Sequence, residues 1–256
     1  MNGCQILCYK VAVMRLRLDI EYDGTDFCGW QRQENGPTVQ AAIEAALSEM
    51  IGVPIGIRGA GRTDAGVHAL GQVAHFDSDT DIPLRGLRLG INGALPASIS
   101  IRRVTRVDEH FDARRSAISK LYRYQIWNGE SRAPMFDRFT WQMRRQLDVV
   151  TMRNAAQVFI GRHDFSAFRA ADCERPTAVR TLRRLDVLRQ GNLVIFEVEA
   201  DAFLKNMVRI LCGTLVEVGC GKFSPSEVER ILLSRNRSQA GQTAPACGLS
   251  LVHVNY

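Results

Sequence analysis

Arg15-Leu16-Arg17-Leu18-Asp19-Ile20-Glu21-Tyr22-Asp23-Gly24 alternates charged and apolar side chains with a period of two until Asp23-Gly24 breaks it. Successive side chains of a strand point to opposite faces, so this stretch predicts a strand with one buried and one solvated face, ended by a turn. Further along, the period changes. Thr38 is an N-cap candidate after Pro37, and Val39, Ala42, Ile43, Ala46, Leu47, Met50 and Ile51 recur at helical spacing until Gly52 stops them. Two short strands follow at about 55–60 and 71–77, separated by a glycine-rich segment. A helix over Pro83 to Leu95, with Leu84, Leu87, Ile91 and Leu95 on one face, and a strand near Ile99 to Val104 complete the set. The order β-α-β-β-α-β is the split motif of ferredoxin-like domains.

The same order returns downstream. Ser119 to Trp127 reads as a strand, and a helix from Asp148 to Ile160 is closed by Gly161. Val179 to Leu188 and Leu193 to Ala200 form a hairpin around Gln190-Gly191-Asn192, and a buried helix runs from Phe203 to Val218. Ser224-Pro225-Ser226-Glu227 opens an added helix with a capping box, and Leu249 to Val254 is the last strand. The expected fold is α+β: two ferredoxin-like halves whose antiparallel or mixed sheets, fused or separate, meet at a central cleft. Residues 1–13 fit nothing downstream and are expected to be an N-terminal extension, with Met14 a candidate functional start. Residues 14–115 form the expected N-terminal half and 116–256 the C-terminal half.

A chain of 256 residues with 46% hydrophobic and 23% charged residues excludes disorder and fibrous structure. No apolar run approaches the roughly 18 to 20 residues of a membrane span, so a soluble protein without a membrane partner is expected. The net charge of +6 favours an anionic partner. Of 33 basic residues only Lys10, Lys120, Lys205 and Lys222 are lysines. Arginine grips phosphates and stacks on bases, although a codon bias would produce the same composition. Position separates the two readings better. Residues 14–118 carry 12 basic and 14 acidic groups and residues 119–256 carry 20 and 13, so the positive field belongs to the second half. Seven scattered cysteines without a Cys-x-x-Cys pair read as small core residues in a reducing compartment. No basic region followed by a long apolar run opens the chain, so the cytoplasm is the expected location.

The segment most suggestive of chemistry is Gly59-Ala60-Gly61-Arg62-Thr63-Asp64-Ala65-Gly66-Val67-His68-Ala69. Its glycines permit a tight turn and a close backbone approach, and Asp64 is its one carboxylate, two residues from Arg62. The residues alone leave two readings: an inter-strand loop in which Asp64 caps a turn, or a ligand loop. A dinucleotide fingerprint fails because its third glycine falls on Asp64, and no Gly-Lys-Ser/Thr phosphate loop occurs. His68 and His75 lack metal-ligand spacing, and His68 is expected to be a buried hydrogen-bonding residue.

Gly61-Arg62-Thr63-Asp64-Ala65-Gly66-Val67-His68 resembles the signature loop of the tRNA pseudouridine synthase A family. Other blocks match in the same order: Tyr22-Asp23-Gly24-Thr25 with Gly29-Trp30-Gln31, Phe111-Asp112-Ala113-Arg114, and Lys120-Leu121-Tyr122-Arg123-Tyr124. Gly161-Arg162-His163-Asp164-Phe165, Phe203-Leu204 with Met207-Val208-Arg209, and Thr243-Ala244-Pro245-Ala246 with Gly248-Leu249 complete the series. The resemblance implies a homodimer that acts without a cofactor on the anticodon arm of tRNA, isomerising uridines at positions 38, 39 and 40 to pseudouridine. It implies Asp64 as the nucleophile, Arg209 as its cationic partner across the cleft, Tyr122 against the uracil, and Leu249 in the same pocket. Lys205-Asn206 stands where some relatives carry histidines.

That reaction breaks an N-glycosidic bond and rejoins the uracil through carbon 5, so it needs a carboxylate and shelter from water. A carboxylate in a closing pocket protonates unless a cation favours its charged form, which gives Arg209 a purpose. A stem uridine must leave its stack. Arg62 is placed to fill the gap, and Arg114, Arg115, Lys120, Arg123 and Lys205 are phosphate-contact candidates. Two other readings remain on the residues: an RNA chaperone using the same cleft, or a glycosidase, which would need a second carboxylate such as Asp23 or Asp26.

Overall fold

The computed structural model describes residues 13–256, so the expected N-terminal extension lies outside the described residues apart from Val13. The opening alternation forms β1 (Met14–Tyr22). Leu16, Leu18, Ile20 and Tyr22 are buried, while on the other face Arg15 pairs with Asp77 at 2.7 Å and Arg17 with Asp19 at 2.6 Å. Helix α1 (Val39–Ile51) starts at Thr38, whose hydroxyl accepts from the Ala41 amide, and ends at Gly52 in the left-handed region, φ 83°. Then come β2 (Arg58–Gly59), β3 (His68–Ser78), α2 (Leu84–Ala94) and β4 (Ile99–Val107). They pair antiparallel in the order β4-β1-β3-β2, the ferredoxin-like arrangement.

The second set comprises β5 (Ser119–Asn128), β6 (Trp141–Met143), α3 (Val149–Ala156), β7 (Gly161–Asp164), β8 (Val179–Gln190), β9 (Leu193–Ala200), α4 (Met207–Gly219), α5 (Pro225–Ser234) and β10 (Leu249–Asn255). The order β10-β5-β9-β8 reproduces that of the first set. The two sheets are fused: β10 pairs parallel with β3 through Ser250 opposite His68 and Leu251 opposite Ala69, giving one ten-stranded sheet. α2 packs along β4, α3 along β8 and α4 on β5, and their apolar faces close one continuous core with the sheet. Among the described residues no helix is long and apolar enough to cross a membrane.

Local differences from the sequence reading have local causes. α4 begins at Met207 and not at Phe203, because Asn206 adopts the left-handed conformation, φ 62°, and interrupts the backbone before it. α3 stops at Ala156 and a three-residue 3-10 turn carries the chain to Gly161, φ 105°. β6 and β7 are too short to show a period. Of the cysteines, Cys212 is buried in the core and Cys173 and Cys220 pack partly buried against it, whereas Cys28 and Cys247 are half-buried outside it; Cys4 and Cys8 lie outside the described residues.

Candidate active site

The strand that joins the two sets also assembles the candidate site. β10 lies between β3, which follows directly from the glycine-rich loop, and β5, on which Leu251 stands opposite Tyr122 and Leu249 opposite Tyr124. The loop is fixed by its backbone. The Trp30 amide donates to the Thr63 carbonyl at 3.1 Å, the Gly66 amide to Phe27 O at 3.3 Å, and the Gln72 side-chain amide to Gly61 O at 2.9 Å. The Thr63 hydroxyl is buried on the Tyr22 hydroxyl at 2.8 Å. Gly24 and Gly29 are required by close approach: a Cβ on Gly24 would lie 2.0 Å from Val67 O, and one on Gly29, at φ 96°, 2.6 Å from Thr63 O.

His68 ties this loop to the C-terminal strand. Its Nδ1 accepts from the Gly24 amide at 3.0 Å and its Nε2 faces Cys247 O at 3.1 Å, so Nε2 carries the proton. Burial holds its pKa below the ordinary histidine value, which keeps the ring neutral in that tautomer. Asp23, one of the two candidates for the second carboxylate of a glycosidase, lies on this histidine, its Oδ1 3.1 Å from Nδ1. It accepts from the Thr25 amide at 3.0 Å and from Arg138 Nη1 at 3.1 Å.

Asp64 does not cap the turn. The backbone closes it, with the Val67 amide donating to Asp64 O at 3.1 Å, and the carboxylate accepts no hydrogen bond from the described residues. Its charged neighbour is Arg209 in the first turn of α4, with Nη1 3.8 Å from Oδ2. The guanidinium is held from behind: Nε donates to Ala244 O at 2.7 Å and Nη1 to Asn206 Oδ1 at 2.9 Å. The left-handed Asn206 that interrupts the helix thus aims its arginine. Side-chain exposure is 17% for Arg209 and 35% for Asp64, so the pair stands at the mouth of the cleft. Burial raises the Asp64 pKa; Arg209 and then Lys205 pull it back, Asp172 opposes them, and the net direction is up. The cation therefore offsets only part of the burial.

Tyr122 stands beside this pair, with its ring edge-on to Phe203 at 5.0 Å and its hydroxyl pKa raised by burial, Tyr22 and Asp64. Its hydroxyl makes no hydrogen bond to a described residue, whereas the Tyr124 hydroxyl donates to Pro245 O at 2.8 Å and Tyr124 is wholly buried. Both rings are buried, Tyr122 at 7% exposure, and only Tyr124 has its hydroxyl tied within the protein. Leu249 is buried at the start of β10 and shares the face of both tyrosines.

The basic residues divide. Arg62 is exposed beside Asp64, and the stem of Lys120 lies against Gly61, its Cε 3.4 Å from where a Cβ there would sit. Lys205 pairs with Asp172 at 2.6 Å. Arg114 and Arg115 are exposed, their amides donating to Asp112 Oδ1 at 2.9 and 2.8 Å. Arg123 lies apart from the others. It alternates with Tyr122 on β5, so it points to the opposite face of the sheet, where it pairs with Glu197 at 2.7 Å. Asn206, Ala244 and the Tyr22–Thr63 pair carry no signal in composition or period, and only the matching sequence blocks surround them.

A family model described as tRNA pseudouridine synthase matches residues 20–114 and 155–256. The chain is 47% identical over 241 residues to tRNA pseudouridine synthase A of Syntrophotalea carbinolica, covering 94% of this chain and 96% of that one. It is 48% identical to the protein of the same name from Geotalea uraniireducens, covering 94% and 99%, and 48% identical to that of Myxococcus xanthus, covering 94% and 92%. The chain belongs to the tRNA pseudouridine synthase family, whose members are isomerases that convert uridine to pseudouridine.

Proposed function

We propose that this enzyme isomerises uridines at positions 38, 39 and 40 of the tRNA anticodon stem-loop, with Asp64 as the nucleophile. The observation that carries the reading is the Asp64–Arg209 pair at 3.8 Å, with Asp64 on a loop pinned at both ends and Tyr122 alongside. The bond between uracil nitrogen 1 and ribose carbon 1′ breaks, the base turns, and carbon 5 bonds to carbon 1′; the proton of carbon 5 departs and nitrogen 1 takes up one, so the product is an isomer of the substrate. Asp64 traps or stabilises the separated fragments, and it serves only when ionised. Arg209 favours that ionised form, Tyr122 stacks on the uracil, and Leu249 and Phe203 exclude the water that would divert the intermediate.

Arg62 occupies the gap left by the flipped base, and Arg114, Arg115, Lys120 and Lys205 meet the backbone. Residues 14–115 act as the half carrying the nucleophile and 116–256 as the more basic half, in a cytoplasmic homodimer. Treating unmodified bulk tRNA with the purified protein and mapping pseudouridine tests this reading. Modification confined outside the anticodon arm would overturn the substrate, and release of free base or sugar would overturn the isomerisation.

A further inference from the structure

Beyond the Asp64–Arg209 pair, basic side chains gather at the end of the sheet where β5 begins. Lys120, half-buried on β5, stands opposite Ala200 on β9, and Ala200 stands opposite Leu182 on β8. Arg180 lies two positions before Leu182, on the same face and at the same end. It is only 8% exposed; its Nη1 donates to Thr177 O at 3.1 Å and to Val179 O at 2.6 Å, while its buried Nε has no acceptor. Such a donor costs stability unless a ligand completes it. Arg175, exposed on the loop before β8, lies within electrostatic reach of Lys120, Arg114 and Arg180.

None of these four, nor Arg62 beside them, makes an ion pair with a described residue. Asp201 is the carboxylate felt by Lys120 and Arg180, and it already accepts from the Thr181 and Ala202 amides. Burial, with like charges added, lowers the pKa of Lys120 and of Arg114, so the cluster is held together at a cost in the unliganded protein.

We propose that Lys120, Arg175 and Arg180 form an anion subsite that takes a backbone phosphate of the RNA beside the reacting uridine, with Arg114 and Arg62 continuing the track toward Asp64. The inference rests on the RNA-modifying reading above. Binding of an anticodon-arm RNA hairpin, followed by fluorescence anisotropy across a salt series, tests it. A cation that neutralises one RNA phosphate contributes about 0.7–0.9 to the slope of log affinity against log salt, and its removal lowers the slope by that amount.

Arg175→Ala is expected to weaken binding about tenfold at fixed salt and to lower the slope by the share of about one phosphate, with Arg180→Gln acting in the same direction. A single neutral methylphosphonate linkage should reproduce the loss in the wild type and add nothing to Arg175→Ala. Non-additivity at one linkage assigns the site to the RNA backbone. Inorganic phosphate that competes fully with RNA in the wild type, with every linkage additive, would overturn that assignment. Because Arg175 is exposed, its variant folds even if Arg180→Gln does not, and an unchanged slope in Arg175→Ala overturns the subsite. The two claims fail separately: a wild type that forms no pseudouridine sinks the enzyme reading, whereas a wild type that forms it with an unchanged Arg175→Ala slope sinks only the subsite.

Discussion

Replacing Arg209 with alanine removes the cation nearest the Asp64 carboxylate and leaves the backbone groups around it in place. At 3.8 Å the Coulomb attraction is about 1 kcal/mol in water and about 4 kcal/mol at the effective dielectric of a protein surface. Asp64 is a third exposed, which favours the low end, about 1–2 kcal/mol. That corresponds to a loss of roughly 5- to 30-fold in kcat/KM at pH values below the Asp64 pKa, since 1.4 kcal/mol is about tenfold.

The sign of the pH effect follows. Burial already places the Asp64 pKa above the ordinary carboxylate value, and the proposed nucleophile acts only when ionised, so activity is expected to fall as pH drops through that raised pKa. Without Arg209 the pKa rises further and the acid limb moves to higher pH, so the deficit is deepest at low pH and shrinks as pH rises. The assay is tritium release from carbon 5 of uridine-labelled tRNA across a pH series. An acid limb in Arg209→Ala that coincides with that of the wild type would refute the electrostatic role.

Asp64→Asn is expected to stabilise the fold at neutral pH. A folded-state pKa raised above the unfolded one makes the charged form a burden that is absent below the unfolded pKa, grows as pH rises from the unfolded to the folded pKa, and is full above it. Calorimetry should therefore show a higher melting temperature at neutral pH, small because Asp64 is a third exposed, with the gain vanishing in acid. Gly29→Ala, which forces a Cβ to within 2.6 Å of Thr63 O at φ 96°, should cost about 1–3 kcal/mol in urea unfolding and reduce activity further by displacing the loop. Arg123→Ala, on the opposite face of the sheet, should leave the affinity for tRNA and its salt slope unchanged and move stability by less than about 1 kcal/mol. A reduced salt slope in that variant would return Arg123 to the RNA interface.

Legibility followed the length of each pattern. β1 and α1 could be read because nine and thirteen residues hold one period and are closed by Thr38 and Gly52. The repeat of the element order led to both ferredoxin-like sets. Fusion of the sheets rests on two register pairs, Ser250 with His68 and Leu251 with Ala69, which no local periodicity encodes. At the site, Asp64, Tyr122 and Arg209 came from the matching sequence blocks. Their meeting depends on β10 lying between β3 and β5 and on one left-handed residue, Asn206, aiming Arg209. Strand alternation alone would have turned Arg123 away from the cleft once Tyr122 was placed in it. Arg175 and Arg180 are separated by more than 50 residues from Lys120 and become neighbours only through β9.

The central claim is that the Asp64 carboxylate performs the chemistry. The measurement that tests it most directly treats unmodified bulk tRNA with wild-type protein and with Asp64→Asn, maps pseudouridine at each position, and measures the affinity of both proteins for the same tRNA. The account predicts pseudouridine at positions 38 to 40 with the wild type and none with Asp64→Asn, which still binds the tRNA. Normal turnover by Asp64→Asn would contradict it.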